Sequence, residues 1–345
     1  MRVQALVVAG PGDMAVETRQ AGSPSSGEAV VQVVYGGICG SDLHYWRDGR
    51  VGESVLRSPM VLGHEVVGVV AEQAADGSGP PVGARVAVHP ARVCGHCAYC
   101  LRGEQNLCAD LRYLGSAART PHTDGGFAER LVVPAHRLVP IPEGLDLRTA
   151  ALAEPASIAL HGLRRVRQIG RRVEGADVLV VGAGPIGLLS TALARIAGAA
   201  TVTATDLFDE PLRLALEVGA THVVRADGDM PATDIAIESS GSAAGTATAL
   251  TALRHGGTLV SVGHLPPDGV TAPLHLAVTR ELTLAGSSRF YHEMPEALSI
   301  MNDEPGRFSP IITSVFGLDA ASSAFRQVAD ARGSSKVLLS FAPED

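Results

Sequence analysis

The chain has 345 residues, 46% of them hydrophobic and only 4% aromatic, with a formal net charge of -8. That length exceeds one comfortable core and points to two domains, while the acidic balance excludes a nucleic-acid surface, whose footprint is basic. No run of about 18 apolar residues and no signal peptide is read, so no membrane partner is expected and a cytoplasmic, reducing location is, in which clustered cysteines read as metal sites rather than disulfides.

Residues 1 to about 150 read as β-rich. Short β-branched runs at 30–35, 65–71 and 84–89 are punctuated by Gly/Pro/Ser clusters such as 76–81. Between the first two runs stands Gly36-Gly37-Ile38-Cys39-Gly40-Ser41-Asp42, and Gly63-His64-Glu65 opens the second. One sulfur, one imidazole and nearby carboxylates suit an open, catalytic zinc site. Ser41 and His44 follow closely, and a hydroxyl with an imidazole that titrates near working pH supplies a path for a proton.

Cys94, Cys97, Cys100 and Cys108 are spaced C-x2-C-x2-C-x7-C. Four soft ligands that close together form a closed tetrahedral site, which reads as structural zinc clamping a surface lobe, with a redox-sensing thiol set as the alternative. Near residue 145 the texture turns to Ala/Leu-rich helix, beginning near Thr149 and carrying Glu154-Pro155. The proline is expected to kink or interrupt that helix. Glu65 and Glu154 both remain candidates to complete the catalytic metal site, Glu65 also as a partner of the ligands rather than a ligand.

From Asp177 strands and helices alternate: strands at 178–181, 202–205, 235–238, 258–262 and 282–285, helices at 185–197 and 210–218. That alternation predicts a parallel, doubly wound sheet. Gly182-Ala183-Gly184-Pro185-Ile186-Gly187 follows the first strand and opens a helix, and Asp206 ends the next strand about twenty residues on, the fingerprint of a dinucleotide site. Gly182, Gly184 and Gly187 let the backbone approach a pyrophosphate at the helix N-terminus, with Pro185 and Ile186 in the same turn. Asp206 is placed for the adenosine ribose and repels a 2′-phosphate, which favours NAD over NADP; Arg213, with Arg225, is the cation near enough to argue the other way. Val262, ending its strand, joins the cofactor set. The tail at 335–341 again looks like a strand and could return to the first domain.

Zinc beside a nicotinamide site suggests alcohol oxidation, the metal lowering the pKa of a hydroxyl and the cofactor accepting hydride. In their order and motifs these residues resemble the zinc-dependent medium-chain dehydrogenases, the alcohol and sorbitol dehydrogenase superfamily, over essentially the whole length. The resemblance implies a GroES-like β-rich catalytic domain over 1–149 and 288–345, with a structural zinc lobe at about 90–112. It implies a Rossmann dinucleotide-binding domain over 150–287, two Zn2+ per subunit, and a dimer or tetramer. Glu154 falls where alcohol dehydrogenases carry a cysteine ligand and polyol dehydrogenases a glutamate, which tilts the substrate toward polyols. Tyr45 and Arg289 resemble pocket residues of the polyol enzymes. A narrower likeness, carried by residues 36–45, 59–65, 114–119, 124–127 and 153–155, is to the branch that oxidises the sugar acid L-idonate at C5 to 5-keto-D-gluconate. The chain departs from that branch at His89 and at Ser288. Arg289, with Arg112 and Arg119 behind it, is the candidate to bind a substrate carboxylate. A sorbitol/xylitol-type polyol dehydrogenase is the alternative, and a catalytically silent dinucleotide-binding protein the reading from a different class.

Overall fold

The computed structural model describes residues 1–330 and 332–341. Two sheets carry the fold. The first has seven strands, in the order Leu138–Pro140, Arg85–Val88, Glu65–Glu72, Glu28–Gly37, Lys336–Ser340 and Ile312–Gly317, with Arg130–Pro134 also pairing against Glu28–Gly37. The strand Glu28–Gly37 is the hub because its two halves have different neighbours on one edge: Arg130–Pro134 covers residues 28–32, and the tail strand covers 35–37. The register sets Gly37 opposite Glu65 on one side and opposite Leu338 on the other. Residues from both ends of the chain therefore meet beside Cys39.

The second sheet has six strands, all parallel, in the order His222–Arg225, Thr201–Asp206, Asp177–Val181, Thr233–Glu238, Leu253–Ser261 and Thr283–Gly286. Numbered along the chain this is 3-2-1-4-5-6, and the crevice for a dinucleotide opens where the order reverses, at the C-terminal ends of the first and fourth strands. The fold is thus a GroES-like β domain joined to a Rossmann domain. The edge strand His222–Arg225 escapes the sequence reading because it is short and none of its side chains is buried.

The expected interruption of the helix carrying Glu154-Pro155 is present, but it falls at residues 151–152, ahead of the proline rather than at it. A short helix, Leu147–Ala150, is capped by Asp146, whose side chain accepts the Thr149 N–H, and stops. The long helix Ala153–Gln168 then starts afresh, with Pro155 in its first turn. There the missing N–H has no intrahelical partner to lose, so proline is tolerated. Glu154 and Pro155 are both buried, and the break before them aims the carboxylate of Glu154 inward. No helix among the described residues is long and apolar enough to cross a membrane.

Candidate active site

Cys39 is the N-cap of the helix Gly40–Asp48. Its backbone N–H donates to Asp42 Oδ2 at 3.0 Å, while Asp42 Oδ1 accepts the Gly63 N–H at 3.1 Å. One fully buried carboxylate therefore staples the turn that carries Cys39 to the turn that carries His64. Gly63 adopts φ 94°, and a Cβ there would run into the Phe127 ring, so this turn requires glycine.

The ligand atoms of Cys39, His64 and Glu65 all lie within 4.8 Å of one another. Glu154 lies outside that group. Its Oε1 instead accepts a hydrogen bond from Tyr113 Oη at 2.6 Å. Glu65 is held by a residue the sequence did not flag: Lys336 Nζ donates to Oε1 at 2.7 Å, to Oε2 at 2.6 Å, and to the carbonyl of Ile38 at 3.0 Å. Both side chains of this pair are buried. Gly37 makes room for it, since a Cβ there would meet Glu65 Oε2.

Electrostatics follow from burial and crowding. Burial disfavours the His64 imidazolium, yet the negative charges of Asp42, Cys39 and Glu154 outweigh it and hold the pKa well above the usual histidine range. Burial likewise pushes Glu65 up to about 7 even against the pull of Lys336, with Glu154 adding to the rise. Burial and then Glu154 raise Tyr113 well above the ordinary phenol value. A concentrated negative charge in a dry site is the environment a divalent cation relieves. Three protein donors of mixed N, S and O type are the kind of set that would hold a catalytic zinc.

The four-cysteine lobe passes a sharper test. Its sulfurs are separated by 3.9, 3.6, 4.0 and 3.6 Å in the contacts Cys94–Cys100, Cys97–Cys100, Cys97–Cys108 and Cys94–Cys108. A tetrahedron with zinc–sulfur bonds of about 2.3 Å has edges of roughly 3.8 Å. The spacing is far too long for disulfides, whose S–S bond is about 2.05 Å. The Cys94 and Cys97 N–H groups point at Cys108 and Cys94 sulfurs. The strands Ala91–Arg92 and Arg112–Tyr113 pair at the base of the lobe.

At the crevice of the parallel sheet, Gly182 has φ 90° and donates its N–H to Thr205 O at 2.9 Å. A Cβ on Gly187 would collide with the Gly182 carbonyl, so the helix can approach the turn only as glycine. Gly184 is the N-cap and Pro185 and Ile186 open the helix Pro185–Ile196. Asp206 reaches back to this turn, accepting the Ala183 N–H at 2.8 Å and the Phe208 N–H at 3.1 Å. Val262 donates its N–H to Glu238 O at 2.8 Å beyond the next strand end. Arg213 corrects the expectation for a cofactor cation: its guanidinium is bound by Glu210 at 2.9 and 2.6 Å and also by Glu217. Arg225 is likewise held, by Asp209 at 2.7 Å.

Of the remaining expected residues, Arg289 stands over the Tyr113 ring at 5.5 Å, and Tyr113 packs edge-on to His64 with centroids 5.7 Å apart. Arg289 joins the metal end of the cleft through that ring. Ser41 is half-buried and His44 exposed, its Nδ1 2.9 Å from Asp48 Oδ2. Tyr45 is not where a substrate could meet it. It is buried in the apolar cluster with Met60, Leu62 and Phe325, and its hydroxyl accepts the Ala117 N–H at 2.9 Å. Arg112 and Arg119 are spent on the carbonyls of Pro121 and Ala109.

Residues 25–143 match the family model described as "Alcohol dehydrogenase GroES-like domain", and residues 185–303 that described as "Zinc-binding dehydrogenase". The chain belongs to the zinc-dependent medium-chain dehydrogenases. Within that family it is 34% identical to L-idonate 5-dehydrogenase (NAD(P)(+)) of Escherichia coli K12, over 99% of each chain. It is 32% identical to sorbitol dehydrogenase of Gallus gallus, over 99% of this chain and 97% of the other. The crystal structure of the E. coli L-idonate 5-dehydrogenase superposes with a TM-score of 0.91 at 33% identity, covering 99% of this chain and 98% of that one. The protein is therefore an NAD(P)-dependent oxidoreductase of alcohols or polyols that uses zinc.

Proposed function

We propose that this dehydrogenase oxidises a secondary alcohol of a sugar acid, L-idonate at C5, with NAD. The observation that carries the reading is Arg289. It has no carboxylate partner among the described residues, lies exposed, and holds φ 53°, a left-handed conformation that costs a non-glycine residue about 1–3 kcal/mol. His264 stands in its field: burial and then the charge of Arg289 lower the His264 pKa and favour the neutral imidazole. His44 is paired with Asp48, so Arg289 is the unpaired cation. One unpaired guanidinium at the metal end of the cleft favours an anionic substrate over a neutral polyol.

In this reading Cys39, His64 and Glu65 hold the catalytic zinc, and Cys94, Cys97, Cys100 and Cys108 the structural one. Zinc supplies the Lewis acidity that makes a substrate hydroxyl acidic, and the nicotinamide accepts the hydride. Glu154, fixed by Tyr113 and acting through its charge on His64 and Glu65, adds to the negative charge around the metal, and Arg289 binds the carboxylate and so fixes which carbon is presented. Ser41 and His44 pass the hydroxyl proton to solvent. Initial rates of NADH formation on L-idonate, D-gluconate, sorbitol and xylitol test the assignment, in the parent and in Arg289→Ala. The parent is expected to prefer idonate, and the variant to raise KM for idonate about ten- to hundred-fold, as expected for loss of charge-assisted hydrogen bonds, with little change for sorbitol. Equal losses on both substrates would remove Arg289 from carboxylate recognition; a parent that prefers sorbitol would make the protein a neutral-polyol dehydrogenase.

NAD preference rests on Asp206 and on the self-paired state of Arg213 and Arg225. Asp206→Ala is expected to lower the ratio of kcat/KM for NAD over NADP about ten-fold or more. An unchanged ratio would locate cofactor discrimination elsewhere.

A second copy of the chain fits the open edge of the parallel sheet. The strand Thr283–Gly286 has one neighbour, and Leu274, Val278 and Leu284 beside it are 58%, 84% and 46% exposed. An edge that pairs with itself about a twofold axis hides both its backbone groups and this apolar surface. Light scattering is expected to give a dimer or tetramer for the parent, and a smaller species for Val278→Glu/Leu284→Glu; a monomeric parent would contradict the assignment.

A further inference from the structure

Both long helices of the site have a second end. The helix Pro185–Ile196 starts at the glycine turn and the helix Ala153–Gln168 starts at Glu154. At 1.5 Å per residue, their C-terminal ends lie about 18–24 Å away from those catalytic features. Between those far ends and the helix Met294–Asp303 is a cavity of about 430 Å³. Its floor is aliphatic, with Leu163, Leu193, Ile196 and Ile300 among its lining residues, and its rim carries Arg164, Arg167, Arg172, Glu174 and Glu296.

The rim charges do not cancel. Arg164 is committed, donating to Glu293 Oε1 at 3.0 Å and pairing with Glu296. Other arginines of this region also have duties: Arg171 and Arg195 hold the Gly256 and Ala199 carbonyls, while Arg167, in the last turn of the helix Ala153–Gln168, lies at the negative end of its dipole but has no side-chain partner among the described residues. Arg167 and Arg172 have no carboxylate or carbonyl partner among the described residues, and Glu174 is the one rim carboxylate not in an ion pair. Two free cations against one free anion leave a rim that a single negative charge neutralises and a dianion overshoots. No aromatic ring lines the cavity, so nothing there stacks a base or a sugar face.

We propose that this cavity is a binding site for an acyl-chain carboxylate, with the alkyl chain on the leucine and isoleucine floor and the carboxylate between Arg167 and Arg172. The site is separate from the catalytic cleft, and it is independent of which alcohol the enzyme oxidises. Guanidinium groups suit a carboxylate by their paired N–H geometry. Each methylene added to the chain within the cavity tightens binding about four-fold, the equivalent of its burial.

The test is titration calorimetry of hexanoate, octanoate and decanoate into the zinc-loaded, full-length protein saturated with NADH. One site per chain is expected, with the four-fold gain per methylene, and with octanol and inorganic phosphate at least ten-fold weaker than octanoate. Arg167→Gln/Arg172→Gln is expected to weaken octanoate about ten- to hundred-fold with kcat for the alcohol unchanged. Ile300→Glu, which puts a charge on the floor, is expected to abolish binding. Octanoate affinity that the double arginine variant leaves unchanged would overturn the proposal. So would binding that appears only in the absence of NADH, phosphate binding as tight as octanoate, or a double variant that changes the oligomeric state instead of the affinity.

Discussion

Replacing Cys39 with alanine is expected to lower kcat/KM for the alcohol at least about a thousand-fold while NADH still binds within about two-fold of the parent. The first number follows from what zinc contributes, several kcal/mol of charge stabilisation, with each 1.36 kcal/mol worth ten-fold in rate. The second follows from topology. Cys39 caps a helix of the β-rich domain, whereas the glycine turn and Asp206 belong to the parallel sheet. Metal content is expected to fall from two zinc ions per chain to one, because the four-cysteine lobe supplies all its own ligands. The melting temperature is expected to fall only by what zinc binding at the catalytic site contributes to the native state, the four-cysteine lobe keeping its own ion. Elemental analysis, NADH fluorescence titration and initial rates on one preparation decide the matter. A variant that keeps both zinc ions and its activity would remove Cys39 from the site; one that loses both ions would show that the two metal centres are not independent.

What the sequence made legible was what local spacing controls. The strand–helix alternation, the glycine turn with Asp206 behind it, and the cysteine cluster each depend on neighbours within about thirty residues. Tyr45 was legible too, on closer counting. In the helix Gly40–Asp48 the buried residues are Asp42 and Tyr45, three apart on one face, whereas Ser41 and His44 lie off it. An aromatic on the face of the buried carboxylate belongs to the core. Arg213 carried a similar sign, with Glu210 and Glu217 three and four residues away on the same helix.

Tyr113 and Lys336 carried no such sign. Tyr113 sits in a two-residue strand just past the zinc lobe, and its meeting with Glu154, His64 and Arg289 depends on how that lobe folds back. Lys336 opens a valine- and leucine-rich strand, where a lysine reads as the solvent end. It is 271 residues from Glu65, and only the pairing of the tail with the strand Glu28–Gly37 brings them together. Burial of a lysine is rare without a partner, but a single sequence does not name that partner.

Lys336→Met is the variant with the largest expected cost in stability. All three ammonium protons of Lys336 are used, two on the Glu65 carboxylate and one on the Ile38 carbonyl, and both side chains of the pair are buried. Removing one member of such a pair leaves the other charge without compensation, which costs about 3–5 kcal/mol. Glu65 has a second way to be satisfied, however, since its oxygens also lie with Cys39 and His64 around the zinc position. The penalty is therefore expected to depend on metal. In chelator-treated protein, urea unfolding of Lys336→Met is expected to show the full loss; with zinc restored, binding to the native state recovers part of it. Lys336→Arg, which keeps the charge, is expected to lose less than Lys336→Met in both conditions. If Lys336→Met stays within about 1 kcal/mol of the parent with zinc and without it, Glu65 does not depend on the tail strand for its charge. The two ends of the chain would then meet at the metal site by packing alone.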